Sequence, residues 1–348
     1  MRIHIRQFGA LCLAGVLALT VSGCSREGPE LPEAPTEIVP ASSQEITTLP
    51  QVTETTVAAA DDQAVQEGGQ TVSTVLYYQD NSGYLVPVMR EIPYAEGIAK
   101  AALMKLVVSE EDQQSLAARG VKAPIPEGSR IDLDIQQGIA TVDVILSSNL
   151  ESSRDEGCVL GAVVNTLLEF DTVDQVKVLI NGQKVSKMSR GTEVEAVYTA
   201  AIENMDPMGM PSSANAQTQL YFTNQTGAFL VPVKRVTTGE IIALTAAQAL
   251  TDPGPAGNLV SLLPPNCRVL DVNVDQNGIA TVDFSEEFLS LSALPASEQL
   301  AIRGLNLTLT GIDGVQQVAI TVEGEPYEPT AATMGTNSGG RTYLNTMS

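Results

Sequence analysis

The sequence contains one six-residue string, GIATVD, twice, at residues 138–143 and 278–283. The similarity extends to both sides of the string. LYYQDNSGYLVPVMR at 76–90 resembles LYFTNQTGAFLVPVKR at 220–235, and PEGSRIDLDIQ at 126–136 resembles PPNCRVLDVNV at 264–274. The repeating unit has the length of a whole domain, which is too long for a solenoid repeat. The sequence therefore predicts a duplicated globular module.

The first half of each copy predicts a strand pair followed by a helix. In the first copy, a strand at 75–79 leads through a glycine-containing turn to a second strand, in which Pro87 lacks an amide donor and indicates a sheet edge or a bulge. A helix is predicted at 94–108, because apolar residues recur there at helical spacing. The stripe consists of Ile98, Ala102 and Leu106.

The second half predicts a hairpin, a helix and a last strand. The hairpin pairs residues 130–135 with 138–145, where apolar and polar residues alternate. A helix is expected to begin near Ser153, which has the spacing of a capping box with Glu156. Its buried stripe would be Val159, Val163, Thr166, Leu167 and Phe170. The predicted fold class is α+β: two similar ββαββαβ-type modules in tandem, each a small mixed sheet with helices packed on one face, after a disordered tether.

The N-terminus predicts export and a lipid anchor. Arg2 and Arg6 precede an apolar run at 8–21, which is shorter than a membrane-spanning helix needs. The string VSGC that ends at Cys24 resembles a bacterial lipobox, so we expect removal of residues 1–23 and attachment of a diacylglyceryl group to the Cys24 thiol. Two or three acyl chains hold a soluble domain at a membrane. A plain signal peptide that happens to include a cysteine is the alternative.

Composition predicts the remaining boundaries. Residues that are rich in Pro, Thr, Ser and Glu bury too little apolar surface to become ordered. The predicted divisions are a lipoprotein signal peptide at 1–23, a disordered acidic tether at 24–73, the first module at 74–200, a linker at 201–217, the second module at 218–328 and a flexible tail at 329–348.

Charge and composition exclude several functions. The chain has a net charge of −22, and residues 1–23 contain two arginines and no acid, so the mature protein is still more acidic. Such a surface repels phosphate backbones, and we expect no nucleic acid partner. Processing would also remove His4, the only histidine, and with it histidine-dependent catalysis. The sequence contains no glycine-rich phosphate loop, and we expect no cofactor and no metal site.

Asp143 and Asp283 are the carboxylates that both copies of the string keep. Carboxylates can perform acid–base catalysis, but one acid per module provides no catalytic partner. Asp283, with Glu286, could instead cap a helical turn. We therefore expect no catalytic residue and a non-enzymatic protein.

Cysteines and strand aromatics have structural interpretations. Cys158 is expected in the core and Cys267 in a turn without a role, and whether the two are bonded is left open. Alternation predicts that one residue of each aromatic pair is exposed, either as a binding surface or as ordinary sheet packing. The pairs are Tyr77 with Tyr78, and Tyr221 with Phe222.

The lipobox, the tether and the paired strings resemble the GerM domain family of spore-forming Firmicutes. The second copy is the closer match, through LLPPN and GIATVDFSEEF, whereas VILSS replaces FSEEF at 144–148 of the first copy. The resemblance covers about residues 74–328. It implies an extracytoplasmic role in sporulation and germination, with modules similar to the ring-building motifs of the complex that links mother cell and forespore.

The first hypothesis is thus an interaction lipoprotein on the outer side of the cell membrane. Its partners would be membrane lipid, through the acylated Cys24, and proteins of the cell envelope, with self-association left open. An enzyme or accessory protein that processes cortex or cell-wall peptidoglycan is the alternative. A solute-binding lipoprotein ranks last, because the two copies are complete in sequence order and the chain does not cross between lobes.

Overall fold

The computed structural model describes residues 71–94, 97–206, 216–251, 259–330 and 345–347. The predicted signal peptide, Cys24 and nearly all of the predicted tether lie outside these ranges. Both modules belong to one compact unit, Gln66–Ser348.

The first module begins with a long hairpin and ends with a parallel strand in a second sheet. The elements in chain order are β1 (Thr71–Asp80), β2 (Leu85–Pro93), α1 (Ile98–Met104), α2 (Glu110–Ala118), β3 (Val121–Lys122), β4 (Arg130–Gln136), β5 (Ile139–Ile145), α3 (Ser153–Leu168) and β6 (Gln175–Ile180). β1 pairs antiparallel with β2 and β3, while β5 pairs antiparallel with β4 and parallel with β6.

The second module repeats the main elements in the same order, but its described residues include no helix that corresponds to α2 and no strand that corresponds to β3, and a 3-10 helix follows the repeated string. Its elements are β7 (Ala216–Thr223), β8 (Leu230–Thr237), α4 (Ala243–Ala249), β9 (Val269–Val274), β10 (Ile279–Phe284), the 3-10 helix (Glu286–Ala293), α5 (Pro295–Thr310), β11 (Gln317–Val322) and β12 (Glu325–Pro326), and a final strand, β13 (Thr346–Met347), follows. β7 pairs with β8, and β10 pairs antiparallel with β9 and parallel with β11.

Each module contains two sheets, with its longest helix in contact with both. The strand orders are β13-β2-β1-β3 and β4-β5-β6 in the first module, and β7-β8 and β12-β11-β10-β9 in the second. α3 contacts β1, β2 and β6, and α5 contacts β7 and β11. Nearly every residue of α3 from Cys158 onward is buried, because apolar partners lie on both sides of the helix. Each module contains the predicted mixed sheet. The first hairpin of each module forms a second, separate sheet, and the longest helix packs against both sheets.

The first helix is shorter than predicted. α1 begins after Gly97, which has a φ of 81°, and ends at Met104. Leu106 is fully buried but follows the helix, while Ala102 is buried within it. The sequence does not predict α2, because Leu116 is its only buried apolar residue and one position makes no periodic stripe.

The cap of α3 lies one residue before the predicted one. The Ser152 Oγ accepts a hydrogen bond from the Asp155 N–H at 3.1 Å and donates one to the Asp155 carboxylate at 2.6 Å. The predicted Ser153–Glu156 capping box is therefore wrong, since Ser153 is already helical and Glu156 is buried. The predicted stripe is confirmed: Val159, Val163, Thr166 and Leu167 are fully buried, and Phe170 is half-buried.

Parts of the predicted linker and tail pair with strands. Met205 pairs with Lys234 of β8, and β13 pairs in parallel with β2 at Met89 and Arg90. Residues 207–215 and 331–344 lie outside the described ranges. Backbone pairing orders the described parts of these segments, and composition carries no signal for it.

Candidate functional site

The aspartate of each GIATVD string binds the turn after the last parallel strand of its own module. The Asp143 Oδ1 accepts a hydrogen bond from the Gly182 N–H at 2.9 Å, and the Asp283 Oδ1 accepts one from the Gly324 N–H, also at 2.9 Å. Asp283 accepts a second from the Thr321 hydroxyl at 2.7 Å. Each of the two glycines, and the residue before it, has positive φ, as a type I′ hairpin turn requires. Both aspartates thus stabilise a turn.

The suggestion that Asp283 caps a helical turn is wrong. The residue before the 3-10 helix is Ser285, and Asp283 contacts the β11–β12 turn instead. Neither aspartate lines the two cavities described below. Their duplication is explained by the hairpin turn that each module contains.

The glycine that opens each string binds the beginning of the same strand. The Gly138 carbonyl accepts hydrogen bonds from the N–H groups of Asp174 and Gln175 at 2.7 and 3.0 Å, and the Gly278 carbonyl accepts the corresponding pair from residues 316–317 at 2.7 and 3.2 Å. Both glycines have positive φ, at 78° and 76°. The two ends of the string therefore hold the two ends of the last parallel strand, which is why the whole string recurs.

A second pair of carboxylates, Glu156 in α3 and Glu298 in α5, is fully buried. Glu156 accepts hydrogen bonds from the Ser189 hydroxyl at 3.0 Å and from the N–H groups of Arg190 and Thr192 at 2.5 and 3.1 Å. Burial raises the pKa of Glu156, but these hydrogen bonds outweigh burial and hold the pKa below its usual value. The carboxylate anchors the segment that follows β6.

Glu298 anchors the corresponding segment of the second module. It accepts hydrogen bonds from the Tyr327 hydroxyl, from the Thr330 N–H at 3.1 Å and from the Thr330 hydroxyl at 2.5 Å. Burial, together with this hydrogen bond to Glu298, raises the pKa of Tyr327 well above its usual value. Each glutamate therefore holds the segment that follows the last parallel strand against the long helix of its own module.

The two modules are joined by the segments that follow them, each of which pairs with the hairpin of the other module. Asn204, after the first module, contacts the hairpins of both modules. Its Oδ1 accepts a hydrogen bond from the Leu85 N–H at 2.8 Å, and its Nδ2 donates to the carbonyls of Leu85 and Pro232, each at 2.8 Å. Its main-chain carbonyl accepts from the Lys234 N–H at 2.7 Å. One side chain thus ties one hairpin to the other.

Asn345, after the second module, makes the same contacts in reverse. Its Oδ1 accepts a hydrogen bond from the Leu230 N–H at 2.7 Å, and its Nδ2 donates to the carbonyls of Leu230 and Pro87 at 2.9 and 2.7 Å. Its main-chain carbonyl accepts from the Met89 N–H at 2.8 Å. These partners correspond in the repeat to the partners of Asn204, so this contact has approximate two-fold symmetry.

A third contact between the modules is not symmetric. The Asn224 Nδ2 and the Thr226 hydroxyl both donate to the Arg119 carbonyl, at 2.7 and 2.8 Å. That carbonyl follows α2, where helical carbonyls lack intrahelical partners. In the first module the position of Asn224 is taken by Asp80. The Asp80 Oδ2 is buried without a partner among the described residues, and burial raises the pKa of this carboxyl.

A cavity of about 370 Å³ is lined by the hairpins of both modules. The two equivalent tyrosines, Tyr77 and Tyr221, face it half-buried, and their neighbours Tyr78 and Phe222 are fully buried. The alternation is as predicted, but neither tyrosine is exposed, because both line this cavity. The Tyr77 hydroxyl donates to Glu169 at 2.9 Å. The walls combine aromatic rings with hydrogen-bonded polar groups, which suits a contact surface.

Both described cysteines are free and buried. Burial raises the pKa of the Cys158 thiol to about 12 and that of the Cys267 thiol to about 11, so neither forms a reactive thiolate at neutral pH. In the ranges that the structure describes, no group of three or more His, Cys, Asp or Glu side chains could hold a metal ion. The same ranges contain no helix with both the length and the apolar character needed to cross a membrane.

Comparison with known families identifies both modules. Residues 75–186 and residues 219–328 each match the family model named Germane, described as sporulation and spore germination. The chain belongs to this family. Among the proteins of known role that resemble this Germane chain is the spore germination protein GerM of Bacillus subtilis, which is 27% identical over 337 residues, covering 91% of this chain and 90% of that protein.

A solved structure shows that the Germane fold is shared. The tandem GerMN domains of the sporulation protein GerM from Bacillus subtilis superpose with a TM-score of 0.56 at 22% identity, covering 80% of this chain and 100% of the solved chain. The predicted family, the α+β class and the tandem arrangement are confirmed.

Sequence patterns did not reveal the roles of the two buried glutamates and the two interface asparagines. The glutamates had a usable signal, since Glu156 and Glu298 each lie four residues after the N-cap of their helix, Ser152 and Leu294. Asn204 and Asn345 had none, because both lie in segments that composition assigns to a linker and a tail. Cys24, the predicted lipidation site, lies outside the described residues.

Proposed function

We propose that this chain is a membrane-anchored extracytoplasmic lipoprotein that serves as a non-enzymatic scaffold in sporulation and spore germination. The acylated thiol of Cys24 would anchor it, and residues 24–73 would hold the two modules away from the membrane. Membership of the Germane family supports the sporulation role, and the VSGC string supports the anchor.

The observation that carries the scaffold role is the use of the duplicated polar residues. Asp143, Asp283, Glu156 and Glu298 each accept hydrogen bonds from their own module. The polar residues that both modules share therefore have a structural role within each module. The reciprocal contacts of Asn204 and Asn345 support a body of fixed geometry, which suits a protein that presents two related surfaces.

The partners on this proposal are proteins of the cell envelope. The proposed assembly is the complex that links mother cell and forespore. The modules could join it by self-association, packed side by side as ring-building motifs pack. Membrane lipid would be contacted only through Cys24.

A pull-down from sporulating cells tests the role. The tagged full-length chain should recover envelope proteins during sporulation, and a Cys24→Ser variant should appear in the soluble fraction and recover fewer of them. Recovery of the same proteins from growing cells, or membrane retention of Cys24→Ser, would contradict the sporulation role or the anchor, respectively.

An enzymatic assay separates the scaffold from the peptidoglycan-processing alternative. The purified protein, incubated with cortex peptidoglycan, should release no muropeptides above a heat-denatured control. Release by the native protein, lost in the double variant Asp143→Asn, Asp283→Asn, would replace the scaffold proposal with an enzyme.

A further inference from the structure

The segment after the repeated string differs between the two modules. In the second module the 3-10 helix buries Phe288 completely. The Phe288 ring stacks on Phe284 with ring centroids 4.6 Å apart and meets Tyr327 edge-on at 5.0 Å. This aromatic cluster closes the core beside Glu298, which accepts the Tyr327 hydroxyl.

The first module has no ring at this place. Residues 145–152, ILSSNLES, contain no aromatic side chain and form a segment two residues shorter than 285–294, and Val144 stands where the second module has Phe284. A cavity of about 290 Å³ lies there. It is lined by four apolar side chains, Leu146, Leu150, Ile180 and Met188, and by six polar residues, Ser147, Ser148, Asn149, Glu156, Asn181 and Ser189.

The cavity lies where Phe288 lies in the other module. Ile180 ends β6 as Val322 ends β11, and Glu156 on α3 corresponds to Glu298 on α5. In the second module the space between these two elements is closed by an aromatic side chain of the chain itself. In the first module the same space is open, and Ser148 in its lining is exposed.

We propose that this cavity, which we call the first-module cavity, is a docking site for a phenylalanine side chain of a partner protein, carried beside acidic residues. Glu156 in the lining is satisfied, because it already accepts hydrogen bonds from Ser189, Arg190 and Thr192. The lining side chains of Ser147 and Asn181 also bond within the chain, so the apolar side chains of the cavity favour an apolar occupant. Met188, which is buried in the wall, has an adaptable thioether that contacts aromatic rings favourably.

Charge at the rim specifies the rest of the partner segment. Residues 184–190, KVSKMSR, include the lining residues Met188 and Ser189 and carry three exposed basic side chains, in a chain whose net charge is −22. The acids around the cavity are Glu151, the buried Glu156 in the lining, Asp143, which binds the Gly182 N–H beside the lining residue Asn181, and Glu193, which pairs with Lys187 at 3.8 Å. The chain's own occupant of the equivalent space has the complementary pattern, with Glu286 and Glu287 directly before Phe288. An acidic segment with one phenylalanine thus matches the cavity and the basic side that residues 184–190 form.

The first test uses a labelled peptide with the sequence SEEFLSLSA, residues 285–293, titrated into the full-length chain and followed by fluorescence anisotropy. We expect saturable binding. Replacing the phenylalanine of the peptide by alanine should weaken binding at least tenfold, since the buried ring supplies most of the apolar contact. Replacing its two glutamates by lysine should also weaken binding and remove its sensitivity to salt. No saturable binding, or equal binding of the phenylalanine and alanine peptides, would overturn the proposal.

The second test fills the first-module cavity from inside. Ser148→Phe should reduce peptide binding at least tenfold while leaving the unfolding temperature unchanged or raised, and Ser186→Phe, outside the lining, should bind as the parent does. If Ser148→Phe does not fold, the double variant Lys184→Glu, Lys187→Glu provides the measurement and should bind several-fold more weakly. Unchanged binding in the folded variant used would exclude this site.

The docking proposal rests on the interaction role proposed above, but the two can fail separately. The peptide titration reports only on the first-module cavity and needs no membrane, anchor or sporulating cell. The pull-down reports on the role in cells. A negative titration with a positive pull-down would remove this site and leave the role.

Discussion

Asn204 and Asn345 occupy equivalent positions after the two modules and make equivalent hydrogen bonds in opposite directions. Each side chain binds both main-chain groups of the first residue of its own module's second hairpin strand, and donates to a proline carbonyl of the other module. Each main-chain carbonyl then accepts an N–H from the other hairpin. Proline suits these positions because its carbonyl still accepts where its nitrogen cannot donate.

Asn345→Ala should destabilise the protein by about 2–3 kcal/mol, because Asn345 is buried and its loss leaves the Leu230 N–H and the Pro87 carbonyl without partners. Urea unfolding at neutral pH measures this. Asn345→Asp keeps the acceptor and loses both donated bonds, so we expect it to be destabilised as well. Thr346→Ala is the control, since Thr346 is exposed. An Asn345→Asp variant as stable as the parent would show that the donated bonds contribute nothing.

Gly278→Ala should cost more than Gly138→Ala, although both glycines have nearly the same φ. A Cβ on Gly278 would lie 2.8 Å from the Gly314 carbonyl oxygen, which is backbone, whereas a Cβ on Gly138 would meet the end of the movable Asp174 side chain. We expect losses of about 3 kcal/mol and about 1–2 kcal/mol, respectively.

Gly324→Ala isolates the conformational part of this cost. Gly324 has a φ of 83°, and among the described residues no atom lies within 4 Å of the place that an alanine methyl group would take, so only the left-handed backbone is penalised. Thermal unfolding of the three variants should rank them with Gly278→Ala the least stable. Equal losses of stability in the three variants would mean that the Gly314 backbone moves away from the new methyl group at residue 278 without cost.

Asp80→Asn should stabilise the protein at neutral pH by about 1 kcal/mol, because it removes the negative charge of a buried carboxylate, one oxygen of which has no described partner. Burial raises the folded-state pKa of Asp80 above its unfolded value. The penalty is therefore absent below the unfolded pKa, grows as pH rises toward the folded pKa and is complete above it. The advantage of the asparagine should thus be present at pH 7 and disappear in acid.

Urea unfolding of the Asp80→Asn variant at pH 7 and at pH 3 tests this dependence, with Asp313→Asn at an exposed position as the control. An advantage that persists at pH 3 would assign the gain to something other than the charge of Asp80.

Glu156→Gln should destabilise the protein by about 2 kcal/mol at pH 7, because a side-chain amide cannot accept hydrogen bonds at both ends as the carboxylate does. The folded pKa of Glu156 is lowered, so its contribution is present above the unfolded value of about 4.3 and is lost as pH falls through the folded pKa. The variant should lose less stability than the parent over that acidic range. Glu151→Gln, at an exposed position, should behave as the parent at both ends of the range.

The spacing of apolar residues along the chain predicted those strands and helices in which that spacing is regular. The alternation around Val142 and the stripe through Val159 identified β5 and α3, since each is long and has regular apolar spacing. The capping box was placed one residue late, because Ser152 with Asp155 and Ser153 with Glu156 have the same spacing and similar chemistry. Only the position of the helix in the core shows that Glu156 is a buried anchor.

By itself the sequence determined the duplication, the order of the main strands and helices in each module and the family, because repetition, periodicity and turn residues are all local properties of the chain. The tertiary structure decided the roles of the shared acids, the separation of each module into two sheets and the exchange between Asn204 and Asn345. These depend on hydrogen bonds between residues up to 258 positions apart, such as Asn345 with Pro87, and no spacing along the chain encodes such a contact. The first-module cavity belongs to the same class, because an open space exists only where the chain has already folded around it.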